Sequence, residues 1–373
     1  MKKLEALESI RGFSAAYVFV NHLHPFPGTI FESLFRFGQE AVILFFLVSG
    51  FVIYHSCASA ERPQTVASFL RARAIRIYPI FLVALLLAAL VAAFTDRADC
   101  IQPTSLMANL LMLQDQPTIK HGAWFAPFCS NIALWSLSYE WWFYLGFAWL
   151  FLRPLRLSVT VQRWIVASIS LFGTASYLVY PSQPALFASY FAIWWAGLEL
   201  ARQYREESAL TFRAQRFPLL LVAANAVIWL IPAIHALVMH AYISPGREPF
   251  GQIRHFGAAL LFLVAGIALS RVASLPRRPL LLCSKLAPIS YGLYATHYPI
   301  LIFVSSLDLG KLQTFAVATP IALLVAYLVE IVMQPRISAL FSGRSRRQPT
   351  PRATLESDSS GTARVQGRSN EKI

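Results

Sequence analysis

Ten apolar runs dominate this sequence, near residues 9–27, 37–57, 74–95, 131–153, 163–180, 184–202, 217–240, 254–274, 285–306 and 313–333. Each is of a length suited to crossing the ~30 Å hydrocarbon layer of a membrane as a helix. Lipid offers no partner to a backbone N–H or C=O, so segments like these must satisfy their own hydrogen bonds. The expected fold class is therefore all-α: a polytopic membrane helix bundle of about ten transmembrane helices. Composition agrees, with 57% hydrophobic and 13% charged residues against about 25% charged in an ordinary soluble domain.

The formal net charge of +14 would suit nucleic acid, but the placement of the charge argues otherwise. With the N-terminus in the cytoplasm, only Arg36, Arg97, Lys120, Arg247, Arg254 and Lys311 fall on the outer side; the other 26 of the 32 Lys and Arg lie on the inner side. That split follows the positive-inside rule and predicts both termini to be cytoplasmic. No nucleic-acid partner is expected. The Met1-Lys2-Lys3 start leads into a run with no small-residue cleavage site after it, so the first helix is expected to stay as an anchor. Residues 1–340 form the membrane domain, and 341–373, rich in Ser, Arg and Pro, are expected to be a disordered basic cytoplasmic tail.

The outer connection from 96 to 130 is long. Its apolar stretch Leu106 to Leu113 is too short to span and is expected to be re-entrant or interfacial, lining a cavity. Cys100 and Cys129 both fall there, where a disulfide is permitted, and their spacing leaves bonded and free forms open. Cys57 and Cys283 fall on the cytoplasmic side. No metal site and no tightly bound cofactor is expected.

Arg11 and His22 share the first run. Eleven helical steps return both to one face, about 16 Å apart. Ionisable groups inside a membrane helix mark a site by default, although snorkelling of Arg11 to the headgroups and an interfacial His22 would also fit. The remaining intramembrane polar residues fall into two layers. Arg71, Arg73 and Arg76, just before Tyr78-Pro79 where the third helix is expected to begin, join Arg11 in an inner layer. Arg73 and Arg76 share a face and suit phosphate, or serve only as topology anchors. The outer layer holds His22, Glu140 and His297. Glu140 lies in Trp135-Ser136-Leu137-Ser138-Tyr139-Glu140-Trp141-Trp142, whose indoles suit sugar faces. Ser290, Tyr294 and His297 make a polar stripe at helical spacing. Ser49-Gly50 reads as a close-packing site, and Ser49 as no nucleophile. Glu199 is expected to pair with Arg202 or a neighbour.

Taken in order, these segments resemble the acyltransferase 3 family, the bacterial multi-pass membrane O-acyltransferases of O-antigens and exopolysaccharides. The resemblance runs from Leu7 to about Arg336. It rests on Arg11-x10-His22, Phe45-Phe46-Leu47-Val48-Ser49-Gly50-Phe51, Arg73-Ala74-Ile75-Arg76-Ile77-Tyr78-Pro79, Trp135 to Glu140, Ile289 to His297, and Glu330 ahead of Pro335. The last element is more loosely spaced than the family pattern, which leaves Glu330 off the list of site residues. The extra domain that some members carry after the last helix has no counterpart before Ile373.

The resemblance implies a bacterial inner-membrane enzyme that moves an acyl group, expected to be acetyl, from acyl-CoA to a hydroxyl of a glycan, with a lipid-linked acceptor left open. His22 would be the catalytic base supported by Arg11, with Glu140 and His297 as further catalytic groups. Arg73, Arg76 and Tyr78 would hold the CoA donor, and Trp135, Ser138 and Tyr294 the acceptor. An acyl-histidine route stays open. The rival reading is a transporter or flippase for an anionic glycan or lipid that uses the same polar cavity.

Overall fold

The structure, a computed structural model, describes residues 2–24, 27–60, 64–152, 157–207, 209–239, 247–270 and 283–341. The expected tail after 341 lies outside the described residues. Every regular element among the described residues is helical, with a single isolated bridge between Gln114 and Phe125. In chain order the helices are α1 (Lys2–Leu23), α2 (Gly38–Ala58), α3 (Val66–Phe94), α4 (Pro103–Leu110), α5 (Trp135–Phe151), α6 (Val159–Val179), α7 (Gln183–Glu207), α8 (Arg216–Val238), α9 (Phe250–Leu269), α10 (Ser290–Ser305), α11 (Lys311–Tyr327) and α12 (Gln334–Phe341).

Every expected apolar run carries a helix. Among the described residues, five helical stretches are long and apolar enough to cross a membrane by themselves: Glu32–Ala58, Val66–Phe94, Arg216–Val238, Phe250–Leu269 and Lys311–Phe341. The rest are shorter or more polar; α5 and α10 have 17 and 16 residues, roughly 25 Å of helix. Their outward faces show what surrounds the bundle. Leu82, Leu86 and Leu90 on α3, and Leu220, Val227 and Ile231 on α8, are exposed, a pattern stable only against an apolar solvent.

Helix α2 stands at the centre, against α1, α7 and α9, while α10 packs on α1, α3 and α11. Helices α2 and α7 approach so closely that a Cβ on Gly50 would overlap the carbonyl oxygen of Trp194, and one on Gly197 would overlap that of Leu47. This reciprocal contact is the small-residue packing read at Ser49-Gly50. It lays Trp194 against Phe143, Phe147 and Phe191, with ring centroids 5.7–6.3 Å apart, in a buried aromatic cluster of the core. Where α7 meets α6, Glu199 accepts from Arg202 (2.8 Å) and Arg163 (2.6 Å), so no buried charge there is left alone.

Three expected boundaries move. Helix α3 begins at Val66 rather than near 74, because Thr65 caps it: its hydroxyl accepts from Ser68 N at 3.1 Å, and Ser68 answers to Thr65 N. Arg71, Arg73 and Arg76 therefore lie inside the helix, and Pro79 interrupts its interior instead of opening it. Helix α5 begins at Trp135, after a 3-10 turn over Ile132–Leu134. Helix α11 passes into a π-helical turn, Leu328–Met333, before α12. The long connection 96–130 folds in as the short helix α4, and Cys100 and Cys129 are joined by a disulfide.

If the α2–α7 contact is the tightest joint, Gly197→Val should cut the yield of folded protein several-fold and lower its melting temperature in detergent by several degrees. Gly257→Ala on α9, where a Cβ meets open space, should be neutral or slightly stabilising. Thermal scanning with size-exclusion chromatography reads both, and equal behaviour would overturn the assignment.

Candidate active site

Two cavities open between α1, α2, α3, α5 and α10, and Tyr294 lines both. The first, about 160 Å³, holds Arg11, Arg73, Arg76, Ser49, Glu140 and Tyr291. The second, about 590 Å³, holds His22 with Asn21, Gln39, Gln116 and Trp135. Helix α1 thus presents Arg11 to one chamber and His22 to the other, as the eleven-residue spacing predicts.

In the second chamber His22 Nδ1 lies 2.8 Å from His297 Nε2, with the rings stacked at 13° and centroids 5.1 Å apart. His297 is buried, and its Nδ1 lies 2.9 Å from Tyr294 O and 3.0 Å from Leu293 O. Carbonyl oxygens only accept, so Nδ1 of His297 carries the proton. With both rings neutral, Nε2 of His297 accepts from Nδ1–H of His22. That assignment leaves the lone pair of His22 Nε2 free, the form a general base requires. Tyr298 stands edge-on to the His22 ring at 5.1 Å, and Phe19 to the His297 ring at 5.9 Å.

The arginine chamber is ordered by two carboxylates. Glu140 accepts from Ser49 Oγ (2.8 Å) and from the Tyr144 hydroxyl, while Trp194 Nε1 donates to Ser49 Oγ at 3.2 Å. Glu330 pairs with Arg76 and accepts from the backbone N–H of Gly292 at 2.6 Å. Arg76 lies over the Tyr291 ring at 5.4 Å and Arg73 over Phe69 at 5.6 Å. The buried Nε of Arg73 has no protein partner, so among these arginines it is a donor still open to a ligand.

Several expected placements change. Glu140 was expected in one layer with His22 and His297 but lines the arginine chamber. Ser136, Glu140 and Tyr144 follow at i, i+4 and i+8 on one face of α5, while Trp135 turns into the histidine chamber. Ser138 faces neither cavity; its buried hydroxyl donates to Gln114 O and Trp135 O, both at 2.7 Å. Tyr78 leaves the donor group as well. It stands about 140° around α3 from Arg73, and its hydroxyl donates to Leu110 O at 3.0 Å. Tyr294 keeps a central position, its hydroxyl 2.7 Å from Ser136 Oγ.

Two groups were missed. Glu330 was set aside for its loose spacing, and the π turn over Leu328–Met333 is what that spacing encodes: i→i+5 bonding accommodates an extra residue while keeping the carboxylate inward. Behind Trp135 lies a buried assembly of Lys120, Asp115 and Tyr139. Lys120 Nζ sits 2.7 Å from Asp115 Oδ1 and 3.6 Å from the Trp135 ring centroid, and Tyr139 donates to Asp115 Oδ2 at 2.6 Å. A lone lysine in a long connection gives no sign of this in sequence.

Breaking the Glu330 pair should leave Arg76 uncompensated. Glu330→Met should destabilise the protein by about 2 kcal/mol, less than a fully enclosed pair because Arg76 is partly exposed, and adding Arg76→Met to it should recover much of that. Thermal unfolding of the four-member cycle measures the coupling; additive losses would overturn it.

"Acyltransferase MdmB" of Streptomyces mycarofaciens is 33% identical over 185 residues, 45% of this chain, and the chain spans 44% of that relative's length. No solved structure matches. The acyltransferase-domain family profile covers residues 4–333, nearly the whole described bundle and both chambers. The chain belongs to the acyltransferase 3 family.

Proposed function

We propose that this protein transfers an acyl group, acetyl in the simplest case, from cytoplasmic acyl-CoA to a hydroxyl of an exported or cell-surface glycan. In this reading ten helices span the bacterial inner membrane, both termini are cytoplasmic, and the arginine chamber faces inward. The observation that carries it is the junction of a cationic chamber and a histidine chamber at Tyr294. Arg11 and Arg73 meet the CoA phosphates, and Arg76, already paired with Glu330, shapes the wall. A pantetheine arm, comparable to about five extended residues, reaches roughly 15–20 Å. That matches the ~16 Å from Arg11 to His22 along α1.

At the junction, His22 Nε2 takes the proton of the acceptor hydroxyl as its oxygen attacks the thioester carbonyl. The tetrahedral intermediate collapses with cleavage of the C–S bond, and the imidazolium returns the proton to the leaving thiolate, giving ester and free CoA. His297 holds the His22 ring in the required tautomer. Tyr294 and Ser136, 2.7 Å apart, are placed to donate to the oxyanion. Glu140, engaged by Ser49 and Tyr144, organises the donor channel.

His22→Ala should lower acyl transfer by at least ~100-fold with the fold intact, measured as CoA release from acetyl-CoA with acceptor; activity within a few-fold of wild type would sink the assignment. Arg73→Ala should raise KM for acyl-CoA roughly tenfold with little change in kcat. An unchanged KM would return Arg73 to a topological role. Movement of glycan or lipid across proteoliposomes without CoA release would favour transport instead.

A further inference from the structure

The two chambers differ in charge as well as in position. The arginine chamber carries three guanidinium groups, whereas among the described residues the histidine chamber is lined by no Asp, Glu, Lys or Arg. Its polar lining is neutral: amides from Asn21, Gln39, Gln102 and Gln116, with hydroxyls from Ser105 and Thr118. The neighbouring cations are not part of the lining, with Arg97 at its rim on the chamber's own Ser130. Lys120 is held by Asp115 and turned onto Trp135, Arg254 is paired with Glu40 at 2.5 Å, and exposed Arg97 donates to Ser130 Oγ at 2.9 Å.

Resting on the proposed acyl transfer, we infer that the histidine chamber selects an uncharged polyhydroxyl ring as acceptor, and that Gln116 is a residue that reads it. An anionic ring would enter a cavity with no cation in its lining to meet it, a costly arrangement. A neutral sugar asks for what the wall provides: amides that donate and accept, and apolar surface from Trp135, Val18, Val42 and Ile132 against its ring face. Gln116 adds a specific signal. Its backbone N–H is fixed by Asp115 Oδ1 at 2.8 Å, and its buried Oε1 has no protein partner at the wall of the chamber. A buried acceptor of that kind requires a donor, and a ligand hydroxyl supplies one. The volume of about 590 Å³ lies in the range of small-molecule clefts, so the ring bearing the reactive hydroxyl is enclosed with its immediate neighbour.

Mass spectrometry of surface glycans and secreted products, from cells with and without the gene, locates the acyl group that depends on this protein. Loss of acyl from a ring bearing no carboxylate, phosphate or sulfate is expected. Loss from an anionic ring would overturn the inference while leaving acyl transfer intact. No acyl difference in any product would remove both readings together. With the acceptor so identified, Gln116→Ala should raise its KM roughly tenfold and leave KM for acyl-CoA unchanged; an unaltered acceptor KM would overturn the role of Gln116.

Discussion

The carboxylate of Glu330 joins three parts of the bundle at one point. It pairs with Arg76 of α3, accepts from the Gly292 N–H at the start of α10, and is carried by the π turn that follows α11. A guanidinium inside an apolar bundle needs a counter-charge, and this one fixes where α10 stands against α3. The position of α10 in turn sets His297, five residues after Gly292, against His22 of α1. The histidine pair and the arginine chamber therefore depend on the same joint.

The two chambers are different electrostatic environments. One is lined by Arg11, Arg73 and Arg76 with Glu140, and Glu330 pairs with Arg76; the other is lined by His22, backed by His297, amid amides and hydroxyls. Tyr294 belongs to both. Separation of this kind suits a reaction whose two substrates differ in charge and meet at one bond. In the proposed reaction the donor's phosphates would stay among guanidinium groups, and the attacking oxygen would arrive where no strong charge competes with the imidazole. The Cys100–Cys129 disulfide and helix α4 frame the uncharged chamber, with Cys100, Gln102 and Cys129 in its wall. The connection from 96 to 130 is thus part of the candidate site.

Much of this was legible in the sequence. The apolar runs became helices because lipid leaves the backbone no other partner, and the Arg11 to His22 spacing carried over because it is a property of a single helix. Errors arose where a side chain's direction depended on a neighbour. Glu140 was assigned to the histidine layer from depth alone, yet its face of α5 turns to Ser49 of α2. Tyr78 followed Arg76 in sequence but points to Leu110, and Ser138 was taken for a ligand group although it ties α5 to Gln114. Glu330 was passed over because a π turn looks like loose spacing to a reader counting by 3.6.

The sequence by itself determined an all-helical chain, its apolar segments, and the arginine and histidine pair at two depths of α1, since each follows from composition and local periodicity. Tertiary structure decided that His297 meets His22, that Glu330 answers Arg76, and that Trp135 is backed by Lys120. Those contacts join residues up to 275 positions apart. Their geometry is set by how closely helices pack, which single-helix periodicity does not encode.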